Sequence, residues 1–320
     1  MQVFGNNKMI KDWIKETRPQ TLLLGATNCA VGCGLGFYYG AVNAYNIAAA
    51  FLIIITAMLL QVLSNLANDY GDAFKGADGA NRLGPIRAAM TGAISLNGLR
   101  RFMAVVTILL TFTGLTAVYM TLGNDSHAFA WFIFLGVISI LAAILYTLGV
   151  SYGYRGLGDI SVFLFFGVLA VIGPQIMITN ASGSGFEIYP DTFMLCISVG
   201  LGSVMVLHTA NMRDIKEDKI TGKRTMAVRL GYRFATISHS VLFAGVLLSS
   251  FIACFMSHKG WEISILALSL IPLASSTYRT IINVRDGSKV APELKYTLIG
   301  CAIHHFAWLI VLLVDFWVYY

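Results

Sequence analysis

The sequence predicts an all-α integral membrane protein with nine transmembrane helices. Hydrophobic residues make up 57% of its 320 residues, charged residues make up only 12%, and the mean hydropathy is +0.73. Apolar runs of roughly 20 residues, the length needed to cross a bilayer, recur along the chain. This composition excludes an ordinary soluble domain. The formal net charge of +6 is therefore interpreted as membrane topology, and no nucleic-acid partner is expected.

The nine spans are predicted from where the apolar runs begin and end. They cover residues 20–41, 46–68, 99–122, 128–149, 160–180, 192–212, 234–256, 261–281 and 295–318. If the N-terminus is cytoplasmic, every lysine and arginine except Lys259 lies in a cytoplasmic segment. Because positive residues favour the cytoplasmic side, we predict a cytoplasmic N-terminus and an outside C-terminus, in the cytoplasmic (inner) membrane. Residues 1–320 are predicted to form one domain with two weakly similar halves, about 20–122 and 160–256.

The cysteines and the N-terminus indicate no disulfide framework and no signal peptide. All five cysteines lie inside apolar runs, and none forms a C-x-x-C pair, which argues against a disulfide framework or a zinc site. The first 20 residues are basic and amphipathic and precede a full-length span. They are interpreted as an uncleaved cytoplasmic start.

The first polar stretch, NLANDYGDAFKGADGANRLGPIRAAMT, follows the second apolar run. If the helix continues into it, Asn65, Asp69 and Asp72 fall at i, i+4 and i+7 on one face, and Asn68 pairs with Asp72 at i, i+4. A further acid and three bases follow in the stretch: Asp78, Lys75, Arg82 and Arg87. Carboxylates are ligands that Mg²⁺ prefers, often together with substrate phosphate oxygens. The alternative is a solvated helix end with neutralising charges.

The second polar stretch, HTANMRDIKEDKITGKRTMAVRLG, follows the sixth apolar run. Asn211, Asp214 and Asp218 stand at i, i+3 and i+7, which predicts one helical face. Four bases accompany them: Arg213, Lys216, Lys223 and Arg224. Spans 2 and 6 thus end alike, as a weak internal repeat. Two such clusters facing each other are suited to hold two Mg²⁺ ions against one diphosphate, although ordinary charge pairs would explain either cluster alone.

The third polar stretch, SYGYRGLGD, joins spans 4 and 5. One interpretation of Arg155 and Asp159 is an ion pair at the membrane surface. The other is that this stretch forms the edge of a cavity between the two acidic clusters, where Tyr152 and Tyr154 hold an aromatic or anionic substrate.

Polar residues inside the spans are predicted to form hydrogen bonds between helices. They are Asn28, Gln61, Gln175, His208, His304 and His305. Of these, only His208, one turn before Asn211, is predicted to lie toward the cavity.

Four stretches, taken in order, resemble the UbiA-type intramembrane prenyltransferases. They are Arg18-Pro19, QVLSNLANDYGDAFKGAD with NRLGPIRA, GYRGLGDISVFLFFG, and NMRDIKEDKITGKRTMAVRLG. Within the family, the resemblance is to the enzymes that prenylate 1,4-dihydroxy-2-naphthoate in menaquinone synthesis. Two positions depart from the family pattern: Ser151 stands where proline is expected, and Ala210 stands where asparagine often precedes Asn211.

The resemblance implies a reaction and its partners. A polyprenyl group moves from a polyprenyl diphosphate to 1,4-dihydroxy-2-naphthoate with loss of CO₂ and diphosphate, giving a demethylmenaquinol. Two Mg²⁺ ions bridge the diphosphate between the two acidic clusters. The site opens on the cytoplasmic side, and the isoprenoid tail lies against membrane lipid.

The resemblance also implies residue roles. The metal ligands are Asp69, Asp72, Asp78, Asp214 and Asp218. Asn65, Asn68 and Asn211 orient ligands or water, and Lys75, Arg213 and Lys223 contact the diphosphate. Arg155 holds the acceptor carboxylate, and Asp159 takes a proton from the acceptor hydroxyl. Arg82 either binds substrate or serves as a topology charge.

Two alternatives stay open at this point. Another aromatic acceptor, 4-hydroxybenzoate, fits the same family. A secondary transporter would also use nine helices and an internal repeat, although transporters generally place their polar groups near the bilayer midplane, whereas these acids gather at helix ends.

Overall fold

The computed structural model describes residues 11–76, 83–84, 87–257 and 261–319. Within those residues it contains nine helices long and apolar enough to cross a membrane, as the sequence predicts. They are α1 (Pro19–Tyr39), α2 (Ala44–Lys75), α3 (Leu96–Leu122), α4 (Ser126–Leu145), α5 (Gly158–Ala181), α6 (Pro190–Arg213), α7 (Met226–Ser257), α8 (Glu262–Ile282) and α9 (Glu293–Tyr319). The end of the bundle at which α2, α4 and α6 stop is called the site end. Which side of a membrane it faces stays a prediction.

Helix α2 is longer than its apolar run. It continues from the predicted end at residue 68 to Lys75, and Gly76 (φ 61°) then caps it by donating its N–H to the carbonyls of Ala73 and Asp72. Glycine adopts this left-handed conformation without a side-chain clash. The acids of the first stretch up to Asp72 therefore lie on a helix.

Helix α6 ends at Arg213, whereas the predicted single face of Asn211, Asp214 and Asp218 needs a helix that continues to residue 218. Asp214 (φ −98°, ψ 9°) follows the last residue of α6, and Asp218 lies on a separate short helix, Ile215–Ile220. A hydrogen bond of 2.8 Å from Asp218 N to Asp214 O bridges the junction. The prediction of a single straight helical face was wrong here, because the backbone turns at Asp214.

Helix α5 contains a π-helical segment, Phe163–Leu169. Gly167 in this segment packs on α6, where a Cβ added to it would lie 2.6 Å from Gly200 Cα. Such π segments are uncommon and often occur near functional sites. The close approach brings the start of α5 toward the end of α6.

Apolar side chains of α1, α5, α6 and α9 form the centre of the bundle, with Trp308 fully buried among them. Polar residues cross-link this core. Asn28 donates to the carbonyl of Phe166 and to Ser203 Oγ, both at 2.8 Å. His304 lies between Ser250 and Ser269, and His305 contacts Thr27. The predicted interhelical hydrogen bonds of these three residues are confirmed.

His208 is the exception to its prediction. Its Nε2 lies 3.0 Å from Ser238 Oγ, and its ring stacks on His239 with 5.4 Å between the centroids. His208 therefore packs on α7 and does not join the acidic residues described below.

Candidate active site

The three polar stretches meet at the site end. Lys223 Nζ, from the second stretch, lies 3.2 Å from Asp72 Oδ1 in the first. Tyr154, from the third stretch, donates its hydroxyl to the same oxygen. Lys75 donates to the carbonyl of Thr147, at 2.6 Å, and to Ser151. Asp72, Asp214 and Asp218, with Lys223 and Tyr154, are called the acidic site.

Tyr154 lies between two cations in this site. The Nζ atoms of Lys75 and Lys223 are 4.6 Å and 4.8 Å from the centroid of its ring. Both distances are typical of cation–π contacts. The ring therefore already faces positive charge in the absence of a ligand.

Asp218 is buried, with 7% of its surface exposed. Burial raises its pKa from 3.8 to about 7, and the charges of Asp214 and Asp72 add to this effect. Lys223 and a 3.4 Å hydrogen bond from Thr225 act in the opposite direction. Asp218 therefore titrates near neutral pH unless a further cation is supplied.

Asp214 is neutralised by its neighbour. Arg213 Nε donates to Asp214 Oδ1 at 2.7 Å, and Arg213 Nη2 contacts the other oxygen. Arg213, which is predicted to contact diphosphate, is thus engaged by a carboxylate. Asn211 also lies at this helix end, and its side chain makes no hydrogen bond with any residue in the described part of the chain.

Asp69 lies apart from the acidic site, in a cluster with the segment before α1. It is 1% exposed. Arg18 donates to its Oδ1, and Arg87 Nε lies 3.3 Å from the same atom. Glu16 interacts with Asp69, and its Oε1 accepts the N–H of Ala88. Burial, followed by this hydrogen bond with Asp69, raises the pKa of Glu16 from 4.5 to about 7.

The two asparagines of α2 that are predicted to belong to the site point in different directions. Asn65 donates to the carbonyl of Thr17 at 3.0 Å and to Thr21 Oγ at 3.2 Å, so it faces the segment before α1. Asn68 accepts a hydrogen bond from Thr147 and faces the segment after α4.

The third stretch divides into a structural part and a site part. The hydroxyl of Tyr152 donates to the carbonyl of Ala142, at 2.9 Å, and lies 3.0 Å from Ser161. It joins α4 to α5, while Tyr154 reaches the acidic site. Ser151 has φ 49°, which proline cannot adopt. This loop therefore has a backbone that the expected proline would not permit.

Arg155 and Asp159 do not form the surface ion pair considered above, because no contact joins these two described residues. Arg155 lines a neighbouring cavity together with Tyr154. Asp159 lies near Tyr146, whose pKa is raised by burial and by the charges of Asp159, Asp218 and Asp72. Asp159 and Tyr146 are thus close to the acidic site, and sequence reasoning did not select Tyr146.

Other residues of the site were also missed or undervalued in the sequence. Glu16 carries no spacing signal, and Arg18 is visible only through its Arg-Pro pair. Thr225 follows a short loop with one glycine, Gly222, and carries no sequence pattern of its own. Asp78 and Arg82, both predicted site residues, lie outside the described residues.

The donor chemistry fits Mg²⁺. Lys223 Nζ lies 3.2 Å from Asp72 Oδ1, and its charge lowers the pKa of Asp218, so one cation contacts Asp72 and also interacts with Asp218. Among residues 11–76, 83–84, 87–257 and 261–319, no three acidic, histidine or cysteine side chains are gathered closely enough to hold a metal alone. Mg²⁺ usually takes one or two carboxylates and completes its shell with water and phosphate.

Comparisons with protein families and with individual proteins agree on the family of this chain. A model of the UbiA prenyltransferase family matches residues 26–311. The chain is 35% identical over 307 residues to the 1,4-dihydroxy-2-naphthoate octaprenyltransferase of Escherichia coli strain K12, covering 95% of this chain and 96% of that protein.

Two solved structures share the fold. The apo structure of a UbiA homolog from Aeropyrum pernix K1 has a TM-score of 0.67 and 14% identity, covering 91% of this chain and 97% of that one. A UbiA homolog from Archaeoglobus fulgidus, bound to DMAPP and Mg²⁺, has a TM-score of 0.57 and 17% identity, covering 94% and 99%.

Proposed function

Because the chain belongs to the UbiA prenyltransferase family, we propose that it transfers a polyprenyl group from a polyprenyl diphosphate to 1,4-dihydroxy-2-naphthoate. A new carbon–carbon bond replaces the acceptor carboxylate, CO₂ and diphosphate leave, and the product is a demethylmenaquinol. The E. coli relative, named as an octaprenyltransferase for this acceptor, supports the choice. Family membership makes the chain a prenyltransferase and removes the transporter alternative.

The contact that most directly supports this reaction joins the two acidic stretches. Lys223 lies 3.2 Å from Asp72 and lowers the pKa of Asp218, so one cation interacts with carboxylates of both stretches. We assign Mg²⁺ binding to Asp69, Asp72, Asp78, Asp214 and Asp218, with two ions. The structure of the A. fulgidus homolog with DMAPP and Mg²⁺ supports the choice of metal. When bound, Mg²⁺ stabilises negative charge on the leaving diphosphate.

Basic residues next to these acids are assigned to the diphosphate. Lys75, Arg213 and Lys223 carry the charge that neutralises it, and Arg18 and Arg87 are added because both approach Asp69. Preorganised positive groups aimed at developing charge are usually a large contribution to catalysis. Asn65, Asn68 and Asn211 are assigned to orienting ligands or water.

Tyr154 is assigned to the allylic cation that forms as the carbon–oxygen bond breaks. Its ring already faces two ammonium groups at 4.6 Å and 4.8 Å, and an aromatic face attracts a carbocation for the same electrostatic reason. The apolar helices around the site keep water from trapping this cation.

Asp159 is assigned to the acceptor hydroxyl, from which it takes a proton. Its proximity to Tyr146, which also interacts with Asp72 and Asp218, supports a place beside the reacting groups. Tyr152 supports this corner through its bonds to α4 and α5. The predicted pairing of Arg155 with the acceptor carboxylate stays a prediction, and its cavity is considered below. Inner-membrane location and a site facing the cytoplasm are part of the proposal.

The experiment is prenyl transfer by the purified protein in lipid with Mg²⁺. Dihydroxynaphthoate and 4-hydroxybenzoate compete for one polyprenyl diphosphate, with Asp72→Ala and Asp218→Ala alongside. We expect naphthoate product with one CO₂ per turnover, lost in both variants and on chelation. Asp125→Asn is the matched control, because Asp125 caps α4 at the opposite end and asparagine caps helices equally well.

The outcomes separate the reaction from the acceptor. Product from 4-hydroxybenzoate alone would retain prenyl transfer and overturn the naphthoate assignment. Full activity in Asp72→Ala and Asp218→Ala would overturn the proposed site.

A further inference from the structure

A cavity of about 480 Å³ lies beside the acidic site and shares Tyr154 with it. Its walls come from residues 149–155 and 222–229, and it is lined by Arg155, Arg224 and Arg229 together with Tyr154. We call it the arginine cavity. Tyr154 lies between the two sites, since its hydroxyl donates to Asp72.

Main-chain hydrogen bonds hold the two walls of the arginine cavity together. Arg224 N donates to the carbonyl of Tyr154 at 2.8 Å. Arg229 Nη2 donates to the carbonyl of Arg155 at 2.7 Å, and its Nε donates to the carbonyl of Arg224 at 3.2 Å. The guanidinium of Arg229 is therefore fixed at the junction before any ligand arrives.

Glycines with left-handed backbone form the turns of these walls. Gly149 has φ 55°, Gly156 has φ 80°, and Gly222 has φ 78°. At Gly156 an added Cβ would lie 3.0 Å from both Arg224 O and Arg229 Nε. Residues with a side chain would strain these turns, so the cavity has a specified shape.

The charge of the arginine cavity is not balanced within the described part of the chain. There, no carboxylate lies within 4 Å of the guanidinium groups of Arg155, Arg224 or Arg229, and the observed partners of Arg229 are backbone carbonyls. Topology charges on a membrane protein ordinarily point separately into solvent. Here three exposed arginines line one concave surface, which favours a ligand with several anionic oxygens.

The surroundings of the cavity indicate where such a ligand comes from. Val150, Leu157 and Ile220 lie in or next to its walls and are 52%, 48% and 83% exposed. The cavity also lies where α4 ends and α5 and α7 begin, which the predicted topology puts near a membrane–water interface. Exposed aliphatic side chains beside arginines suit a lipid, because the aliphatic groups contact its acyl chains and the arginines bind its anionic headgroup.

We propose that the arginine cavity binds the phosphate group of an anionic phospholipid, as a site distinct from the one for prenyl diphosphate. Arg155 and Arg224 bind the phosphate oxygens, and Arg229 holds the two walls in place. The aliphatic rim contacts the first part of the acyl chains.

The test is native mass spectrometry of the full chain in detergent, titrated with phosphatidylglycerol or with zwitterionic phosphatidylcholine. We expect tighter binding of phosphatidylglycerol, reduced about tenfold or more in Arg155→Gln/Arg224→Gln because two charged hydrogen-bonding groups are removed. The matched control is Arg100→Gln/Arg101→Gln, which removes the same charge from two exposed arginines of α3 at the site end. If the first pair fails to fold, the single variant Arg155→Gln is expected to lose severalfold affinity.

Three results would overturn the proposal. Equal losses of phosphatidylglycerol affinity in the two double variants would show that the affinity depends on total positive charge and not on this cavity. No loss in Arg155→Gln/Arg224→Gln would place the lipid elsewhere. Displacement of bound phosphatidylglycerol by inorganic diphosphate or dihydroxynaphthoate would assign the cavity to a reactant, and in the second case would return Arg155 to the acceptor carboxylate.

Discussion

Mg²⁺ binding should depend on the protonation of Asp218. Burial and the nearby carboxylates raise its pKa to about 7, and a metal ion binds only the deprotonated carboxylate. With that pKa, Asp218 is about 90% protonated at pH 6 and about 10% at pH 8. We therefore expect apparent Mg²⁺ affinity to fall about tenfold from its plateau at pH 6, with about 0.9 proton released per ion bound there and about 0.1 at pH 8. A carboxyl with an ordinary pKa would show neither change.

The assay is titration calorimetry of the detergent-purified protein with Mg²⁺ alone, at several pH values and in two buffers of different ionisation enthalpy. It is best done in a Glu16→Gln background, because Glu16 also has a pKa of about 7. Asp218→Asn should abolish the proton release, whereas Asp125→Asn should leave it intact. An affinity that is flat between pH 6 and 8, with no proton released at pH 6, would refute this reasoning.

Three further predictions concern Tyr154, Glu16 and Gly167. If the ring of Tyr154 stabilises the allylic cation, Tyr154→Phe should retain most of kcat while Tyr154→Leu loses about tenfold; equal kcat in both variants would contradict this. Glu16→Ala leaves the buried N–H of Ala88 without an acceptor and should lower the free energy of unfolding by about 1–3 kcal/mol, measured in detergent against Glu16→Gln. Because folding raises the pKa of Glu16 from 4.5 to about 7, its stabilisation is present below pH 4.5 and is lost as the pH rises through 7, a dependence that Glu16→Gln should remove. Gly167→Ala places a methyl 2.6 Å from Gly200 Cα and should destabilise by about 1–3 kcal/mol. Gly136→Ala, inside α4 with nothing within 4 Å, should be neutral or slightly stabilising, because alanine favours a helix interior. Similar melting temperatures for the two variants would argue against the tight α5–α6 contact.

The spans could be predicted from the sequence because a membrane allows few backbone solutions. Each apolar run must satisfy its own backbone hydrogen bonds as a helix, so hydropathy alone locates nine of them in the described chain. The same argument places the acids of α2 and α6 at the ends of their helices. Where polar residues continue the helix, as from residue 68 to Lys75, hydropathy does not detect the continuation. The predicted end of α2 is therefore too early.

What only the tertiary structure decided is which partner each polar residue meets. Asp69 and Asp72 are three residues apart on α2, yet one contacts Arg18 and Arg87 and the other contacts Tyr154 and Lys223. Helical periodicity defines the direction in which each side chain leaves its helix, but the residue it meets comes from a distant part of the chain. The same holds for Tyr152 and Tyr154, and for Arg155, whose cavity exists only because residues 222–229 pack against its loop. Sequence alone determined that charge gathers at one end of this bundle, and packing between distant segments determined which charges face one another.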